Sequence, residues 1–399
     1  MTGNGTSQTV TTQSSTTPSG SHSRRVPRAA YIHVPFCAHR CGYCNFTLVA
    51  GRNDLVPAYL QAIQAELGSL NGQHEVDTLF LGGGTPTQLS AVQLRHLCDT
   101  VRHVFPLASG GEFSVEANPA DFDEPKAEVI QGAGVTRISL GAQSFDVETL
   151  KCLERDHSPE QIDAAFELAR KFASSVSLDL IFAAPGQSLD AWQAELHRAL
   201  ELRPDHVSTY GLTFERGTTF WSRLTKADLR EVDEETQREM YLASIDVLSA
   251  AGLQHYEVSN FARTGHRCRH NEVYWGGDEY FAAGPGAARY IAGERSTNHR
   301  STFTWLQRIQ AGESPVAFRE TLTPEDRARE QLVLGLRRVR GISLDEFEQT
   351  TGFSVVELLG EALNTWRQQE LIEASPDNLR LTPSGLLVSD HLWGEVLRS

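Results

Sequence analysis

Two kinds of apolar pattern alternate between residues 29 and 212. Short runs rich in β-branched and aromatic residues, AAYIHV, VDTLFL, GEFSVEA, VTRISLGAQ, SVSLDLIF and DHVSTYGL, read as strands. Between them, PAYLQAIQAELGSL, TQLSAVQLRHLCDTVRHV, PEQIDAAFELARKFA and LDAWQAELHRALE repeat apolar residues at three- and four-residue intervals, as amphipathic helices do. Strand–helix alternation of this kind predicts parallel βαβ units. Six units without a dinucleotide-binding glycine fingerprint predict an α/β fold of the open, partial (β/α)6 barrel type.

The strand faces sharpen that expectation, because side chains alternate with period two. Tyr31 and His33 oppose Ile32 and Val34; Ser114 and Glu116 oppose Phe113 and Val115. Arg137, Ser139 and Gln143 oppose Ile138, Leu140 and Ala142. Ser177 and Asp179, then His206, Ser208 and Tyr210, repeat the pattern. One face suits a helix layer. The other is too polar for a barrel centre filled with aliphatics, and predicts a lumen that holds a ligand.

After about residue 213 the alternation stops. Residues 213–317 read as a barrel extension, with one long helix over 233–251 and a turn-rich stretch, EVSNFARTGHRCRHNEVYWGGDEYFAAGPGAARY. Residues 318–399 read as a mostly helical, winged-helix-like domain ending in helix, strand, turn, strand, helix. Residues 1–28 are rich in Ser, Thr and Gly and read as a disordered tail.

The net charge of −15 disfavours phosphate tracking, so no nucleic-acid partner is expected. No apolar run is long enough to span a membrane, and the N-terminal residues lack the apolar stretch of a secretory signal. A cytoplasmic location is expected, with membrane contact only through a partner. Six cysteines in a long chain without a signal peptide do not predict a disulfide framework.

Three of them, Cys37, Cys41 and Cys44, form C-x3-C-x2-C in YIHVPFCAHRCGYCNF, directly after the first strand. Zinc, with His33 or His39 as fourth ligand, is one reading. A [4Fe–4S] cluster with one open iron is the other. Three glycines, Gly82, Gly83 and Gly84, end the second strand in LFLGGGTPT and would let backbone approach a ligand closely.

The cysteine spacing, with Tyr43 before the last cysteine and a partial barrel behind it, resembles the radical SAM superfamily. That resemblance implies a [4Fe–4S] cluster on the three cysteines, with S-adenosylmethionine chelating the open iron and cleaved to a 5′-deoxyadenosyl radical. Within the superfamily the chain resembles the anaerobic coproporphyrinogen-III oxidase branch over roughly residues 29–390. The likeness implies SAM contacts from Tyr31 and Tyr43 on the adenine side, and from Gly83, Gly84 and Thr85 on the methionine side. Glu116, Gln143, Arg155 and Asp179 complete the implied set.

The oxidase has a further cysteine two residues after the third cluster ligand, where this chain has Phe46, and a longer N-terminal extension. His270, Asn271, Tyr274 and Trp275, in HNEVYW, instead match the H-N-x-x-Y-W motif of the sister group, the HemW-type haem chaperones. That resemblance implies haem as cargo, acceptor haemoproteins, and an electron donor such as a flavodoxin, ferredoxin or bacterioferritin-like protein. His270 is then the expected axial ligand, with Cys268 as a rival. The alternative is the oxidase itself, which converts coproporphyrinogen-III to protoporphyrinogen IX.

Overall fold

The computed structural model describes residues 26–397. The expected tail therefore lies outside the described residues, except for Val26, Pro27 and Arg28. Arg28 is tied to the barrel: its guanidinium pairs with Glu75 and Asp77 at 2.9 and 2.8 Å.

Six parallel strands form the barrel: β1 (Ala29–Val34), β2 (Val76–Gly83), β3 (Leu107–Ala117), β4 (Arg137–Gln143), β5 (Ser175–Phe182) and β6 (His206–Gly211). They stand in sequence order, as right-handed βαβ crossovers require. The crossover helices start where the sequence can cap them. Ser90 with Gln93, and Ser158 with Gln161, form capping boxes for helices Ala91–Val104 and Pro159–Phe172. Ile32, Leu81, Val115, Ile138, Leu178 and Val207 point to the helix layer and are fully buried.

The opposite face is polar, as period-two reading requires. Asp179 accepts hydrogen bonds from Ser139 on β4 and Ser208 on β6, at 2.9 and 2.7 Å. Deeper in the lumen Arg137 donates to Glu112 at 3.3 Å. His206 bonds Ser177 and the Tyr256 hydroxyl, both at 2.8 Å.

The sheet does not end where the alternation does. Three short strands from the extension join it: β7 (Gln254–Glu257), β8 (Asn260–Ala262) and β9 (Phe281–Ala283). The order is β9-β1-β2-β3-β4-β5-β6-β8-β7. β9 lies parallel to β1, whereas β8 is antiparallel to β6. Strands of three or four residues carry too few positions to show a period, so the turn-rich reading missed them. The long helix of this region is Glu234–Ala250.

A buried carboxylate locks the extension in place. Glu66, on helix Val56–Gly68, accepts from the Gly284 amide, the Asn298 side chain and the Trp305 indole at 2.7–3.0 Å. The C-terminal region has its own core, including Leu332, Leu336, Trp366 and Leu379. Its three-stranded antiparallel sheet orders Ile342–Ser343, Asn378–Leu381 and Ile372–Ala374. Val339 donates its amide to Tyr256 of β7 at 3.1 Å, which joins this region to the barrel.

Candidate functional site

The three cysteines sit in the loop after β1, held by its own backbone. Cys44 donates its amide to Cys41 at 3.0 Å, and Arg40 bonds the carbonyls of Cys44 and Leu48 at 3.3 and 2.8 Å. Arg155 reaches the Cys41 sulfur at 3.5 Å, and the Thr85 hydroxyl lies 3.5 Å from that of Cys37. Burial pushes the Cys37 thiol up to about 11 and also raises Cys44. Such thiols need a metal centre to become ligating thiolates at neutral pH.

Zinc fits this loop poorly. Among the described residues no three His, Cys, Asp or Glu side chains are placed to hold a single ion. His33 has both ring nitrogens engaged, with the Tyr31 hydroxyl at 3.0 Å and the Thr47 carbonyl at 2.6 Å. His39 is exposed and faces Glu154 at 3.7 Å. A larger centre with three thiolate ligands matches the set better.

The glycine loop packs against the cysteine loop. The amides of Gly84 and Thr85 donate to Val34 and Phe36 at 2.8 and 2.7 Å. A Cβ on Gly84 would lie 2.7 Å from the Phe36 carbonyl, and Gly83 has φ +113° with the His33 ring against it. These glycines are thus required by loop–loop contact, as well as by any ligand above them.

Both loops open onto a cavity of about 560 Å³ at the C-terminal ends of the strands. The three cysteines line it, together with Tyr43, Gly83, Gly84, Thr85, Glu116, Gln143, Arg155 and Asp179. Tyr31 does not: it lines a neighbouring chamber, because its position on β1 lies below the cysteine loop. That chamber shares Gly83 and Glu116 with the first, so Tyr31 and the other implied contacts line two adjoining spaces.

The charges in this cavity suit a zwitterion. Arg155 donates from Nη2 to Gly141 at 3.1 Å, while its buried Nε has no partner. An orphaned guanidinium nitrogen is a ready donor to a carboxylate. Glu116 accepts the Gly83 amide at 2.9 Å. Burial, reinforced by the Asp179 charge and opposed by that amide bond, pushes the Glu116 carboxyl up to about 7. Gln143 holds a positive φ of 65° at the end of β4, a strained conformation of the kind found at ligand clamps. The residues present therefore fit an amino-acid-bearing ligand beside a thiolate-held cluster.

The HNEVYW segment does not line this cavity, although its Tyr274 lines the neighbouring chamber. It forms helix Arg269–Gly276 at the N-terminal end of the barrel. His270 is 1% exposed, with Nδ1 on the Thr78 hydroxyl and Nε2 on the Tyr274 hydroxyl, both at 2.9 Å. Burial lowers its pKa to about 3. Thr78 is the third residue of β2 and Gly83 its last, which separates the Thr78 partner of His270 from the cysteine end by roughly 16 Å of strand. Ligation of iron by either ring nitrogen would therefore have to break a buried hydrogen bond. Cys268 is no better placed, being buried with its sulfur 3.7 Å from Glu112. Asn271 is half-buried on the same helix. Trp275 packs under Arg337 of the C-terminal region, 4.8 Å from guanidinium carbon to ring centre.

Glu116→Gln tests the cavity directly. Loss of the charged acceptor is expected to weaken SAM binding by about 1.5–3 kcal/mol, read by equilibrium dialysis. An unchanged dissociation constant would remove Glu116 from the site.

Comparison with known proteins places this geometry. The radical SAM superfamily model matches residues 31–199, and the HemN C-terminal domain model matches residues 322–388. The heme chaperone HemW of Bacillus subtilis is 35% identical, across 93% of this chain and 99% of its own length. The heme chaperone HemW of Mycobacterium tuberculosis is also 35% identical, across 93% of this chain and 95% of its own. Among solved structures, coproporphyrinogen III oxidase (HemN) of Escherichia coli superposes with a TM-score of 0.82 at 22% identity, covering 94% of this chain and 92% of that one. That likeness concerns the fold.

Proposed function

The chain belongs to the HemW family of radical SAM proteins, and from that membership we propose that it is a haem chaperone, binding haem and delivering it to acceptor haemoproteins. The observation that carries the proposal is relatedness over nearly the whole chain to proteins of that name. In this reading Cys37, Cys41 and Cys44 hold a [4Fe–4S] cluster and leave one iron for S-adenosylmethionine. Gly84 and Thr85 border the cluster side, Glu116 takes the amino group, and Arg155 takes the carboxylate. Tyr43, Gln143 and Asp179 face the nucleoside. When bound and reduced, the cluster supplies the electron that opens the SAM sulfonium. The chain's own part is to hold the ligand, keep water from the thiolates and fix the cluster loop through Arg40 and Arg155.

Haem recognition draws on aromatic residues near the HNEVYW helix, with His270 in a structural role. A flavodoxin, ferredoxin or bacterioferritin-like protein would serve as electron donor. No described helix is long and apolar enough to cross a membrane, so membrane contact would come through an acceptor.

Phe46 separates this reading from the oxidase. It stands where the oxidase has a cysteine, and a phenyl ring can neither donate a proton nor carry redox chemistry. Anaerobically reconstituted protein is expected to bind one haem and to leave coproporphyrinogen-III unchanged in the presence of SAM and reductant. Sustained formation of protoporphyrinogen IX would overturn the proposal in favour of the oxidase.

A further inference from the structure

We propose that Tyr256, His206 and Ser177 form a hydrogen-bonded relay that holds Asp179 as a charged, acceptor-only group for the ribose hydroxyls of the ligand in the SAM cavity. This rests on the SAM reading of that cavity and adds to it three positioning residues that touch no ligand. Asp179 lines the cavity, whereas none of the three does. They lie behind it in the lumen, Ser177 on β5, His206 on β6 and Tyr256 on β7.

The direction of the relay follows from where each hydrogen can go. All three residues are buried. Burial, with Arg137 and His266 nearby adding to it, lowers the His206 pKa well below its usual value. The imidazole is therefore neutral and carries a single N–H. Its Nδ1 lies 2.8 Å from Ser177 Oγ, and its Nε2 lies 2.8 Å from the Tyr256 hydroxyl. The Tyr256 oxygen already accepts the Cys268 amide at 3.3 Å, and among the described residues its own hydrogen has no acceptor but Nε2. Nε2 thus accepts, and Nδ1 carries the proton. Ser177 then accepts from Nδ1 and donates to Asp179 Oδ1 at 3.4 Å, the longest link. The opposite tautomer would leave the Tyr256 hydrogen buried without a partner and turn the Ser177 hydroxyl away from the carboxylate.

In this order every donor points towards Asp179, so each bond polarises the next. Ser139 and Ser208 add their hydroxyls at 2.9 and 2.7 Å. Burial raises the Asp179 carboxyl, while the bonds from Ser208, Ser139 and Ser177 and the Arg137 charge pull it back down. Glu116, the neighbouring carboxyl of the cavity, has the Gly83 amide and no such relay. The two acids are thereby divided: Asp179 keeps its charge, and Glu116 is the one that shares a proton near neutrality. A carboxylate that can only accept favours a sugar carrying its hydroxyls and gains nothing from a deoxy sugar.

The test uses the reconstituted full chain with S-adenosylhomocysteine, which lacks the sulfonium and is not cleaved, beside its 2′,3′-dideoxy analogue. By calorimetry, His206→Leu should weaken S-adenosylhomocysteine about tenfold and leave the dideoxy analogue unchanged. Tyr256→Phe, which removes only a hydroxyl, should give a smaller loss of the same kind, about threefold. His206→Asn, whose amide nitrogen stands where Nδ1 does, should recover most of the affinity. Adding His206→Leu to Asp179→Asn should cost nothing beyond Asp179→Asn alone, because the relay acts only through that carboxylate. Nitrogen NMR of protein labelled at its histidines should show His206 as the Nδ1–H tautomer, identified by the resonance lost in His206→Asn. Equal losses for both ligands, additive losses in the double variant, or the Nε2–H tautomer would overturn the relay and leave the SAM site standing. If wild type binds neither ligand, the SAM reading fails and the relay with it.

Discussion

Cys41→Ala is expected to abolish the cluster outright: no bound iron or sulfide after anaerobic reconstitution, no visible absorption and no reduced-state electron paramagnetic resonance signal. Loss of one of three thiolates leaves two, too few to hold a four-iron centre against solvent and chelators. The substitution also strips Arg155 of its sulfur partner at 3.5 Å, so a buried guanidinium loses a contact beside the SAM cavity. The same result is expected for Cys37→Ala and Cys44→Ala. Cys98→Ala is the control, since Cys98 is fully buried in the core of helix Ala91–Val104, away from the cavity. Retention of a full iron complement by Cys41→Ala, with loss in Cys98→Ala, would reject the assignment.

His270→Ala is expected to lower stability by about 2–4 kcal/mol without moving the Soret band of the haem complex. Two hydrogen bonds vanish and the hydroxyls of Thr78 and Tyr274 are left buried beside a cavity. The pH dependence identifies the cause. His270, His33 and His157 have their pKa lowered from 6.5 to about 3, 4 and 4 by burial. Between those values and 6.5 the unfolded chain binds more protons than the folded one, so stability rises with pH through that window and falls on acidification. The His270 contribution alone is at most roughly 4–5 kcal/mol. Urea unfolding of wild type should therefore shift steeply between pH 6.5 and 4, and less steeply in His270→Ala. Parallel curves, or a shifted Soret band, would return His270 to the haem.

The contrast between these two segments explains what could be read from the sequence. C-x3-C-x2-C encodes its chemistry locally, because the ligands lie on one loop and their spacing limits what they can bind. The lumen residues Glu116, Ser139, Asp179 and Ser208 were legible for a similar reason: a strand's alternation fixes its faces without knowledge of neighbours. Tyr31 shares that face, but depth along the strand, which alternation does not give, puts it in the second chamber. His270 is settled by Thr78, 192 residues away, and no local pattern announces that bond. Glu66 looks like a solvent-facing position on an amphipathic helix until Gly284, Asn298 and Trp305 converge on it. The strand Phe281–Ala283 is too short to show a period, although it extends the sheet past β1. Phe46 was legible only as a missing cysteine; its exposure on the rim of two cavities required the fold.

Haem transfer tests the central proposal most directly. Reconstituted protein loaded with one haem is mixed anaerobically with an excess of an apo-haemoprotein, and the acceptor's activity is followed against a free-haem control. The account predicts that the acceptor gains haem and activity while the donor's Soret absorption decays in step. A donor that retains its haem, or binds none, and instead converts coproporphyrinogen-III to protoporphyrinogen IX would contradict it.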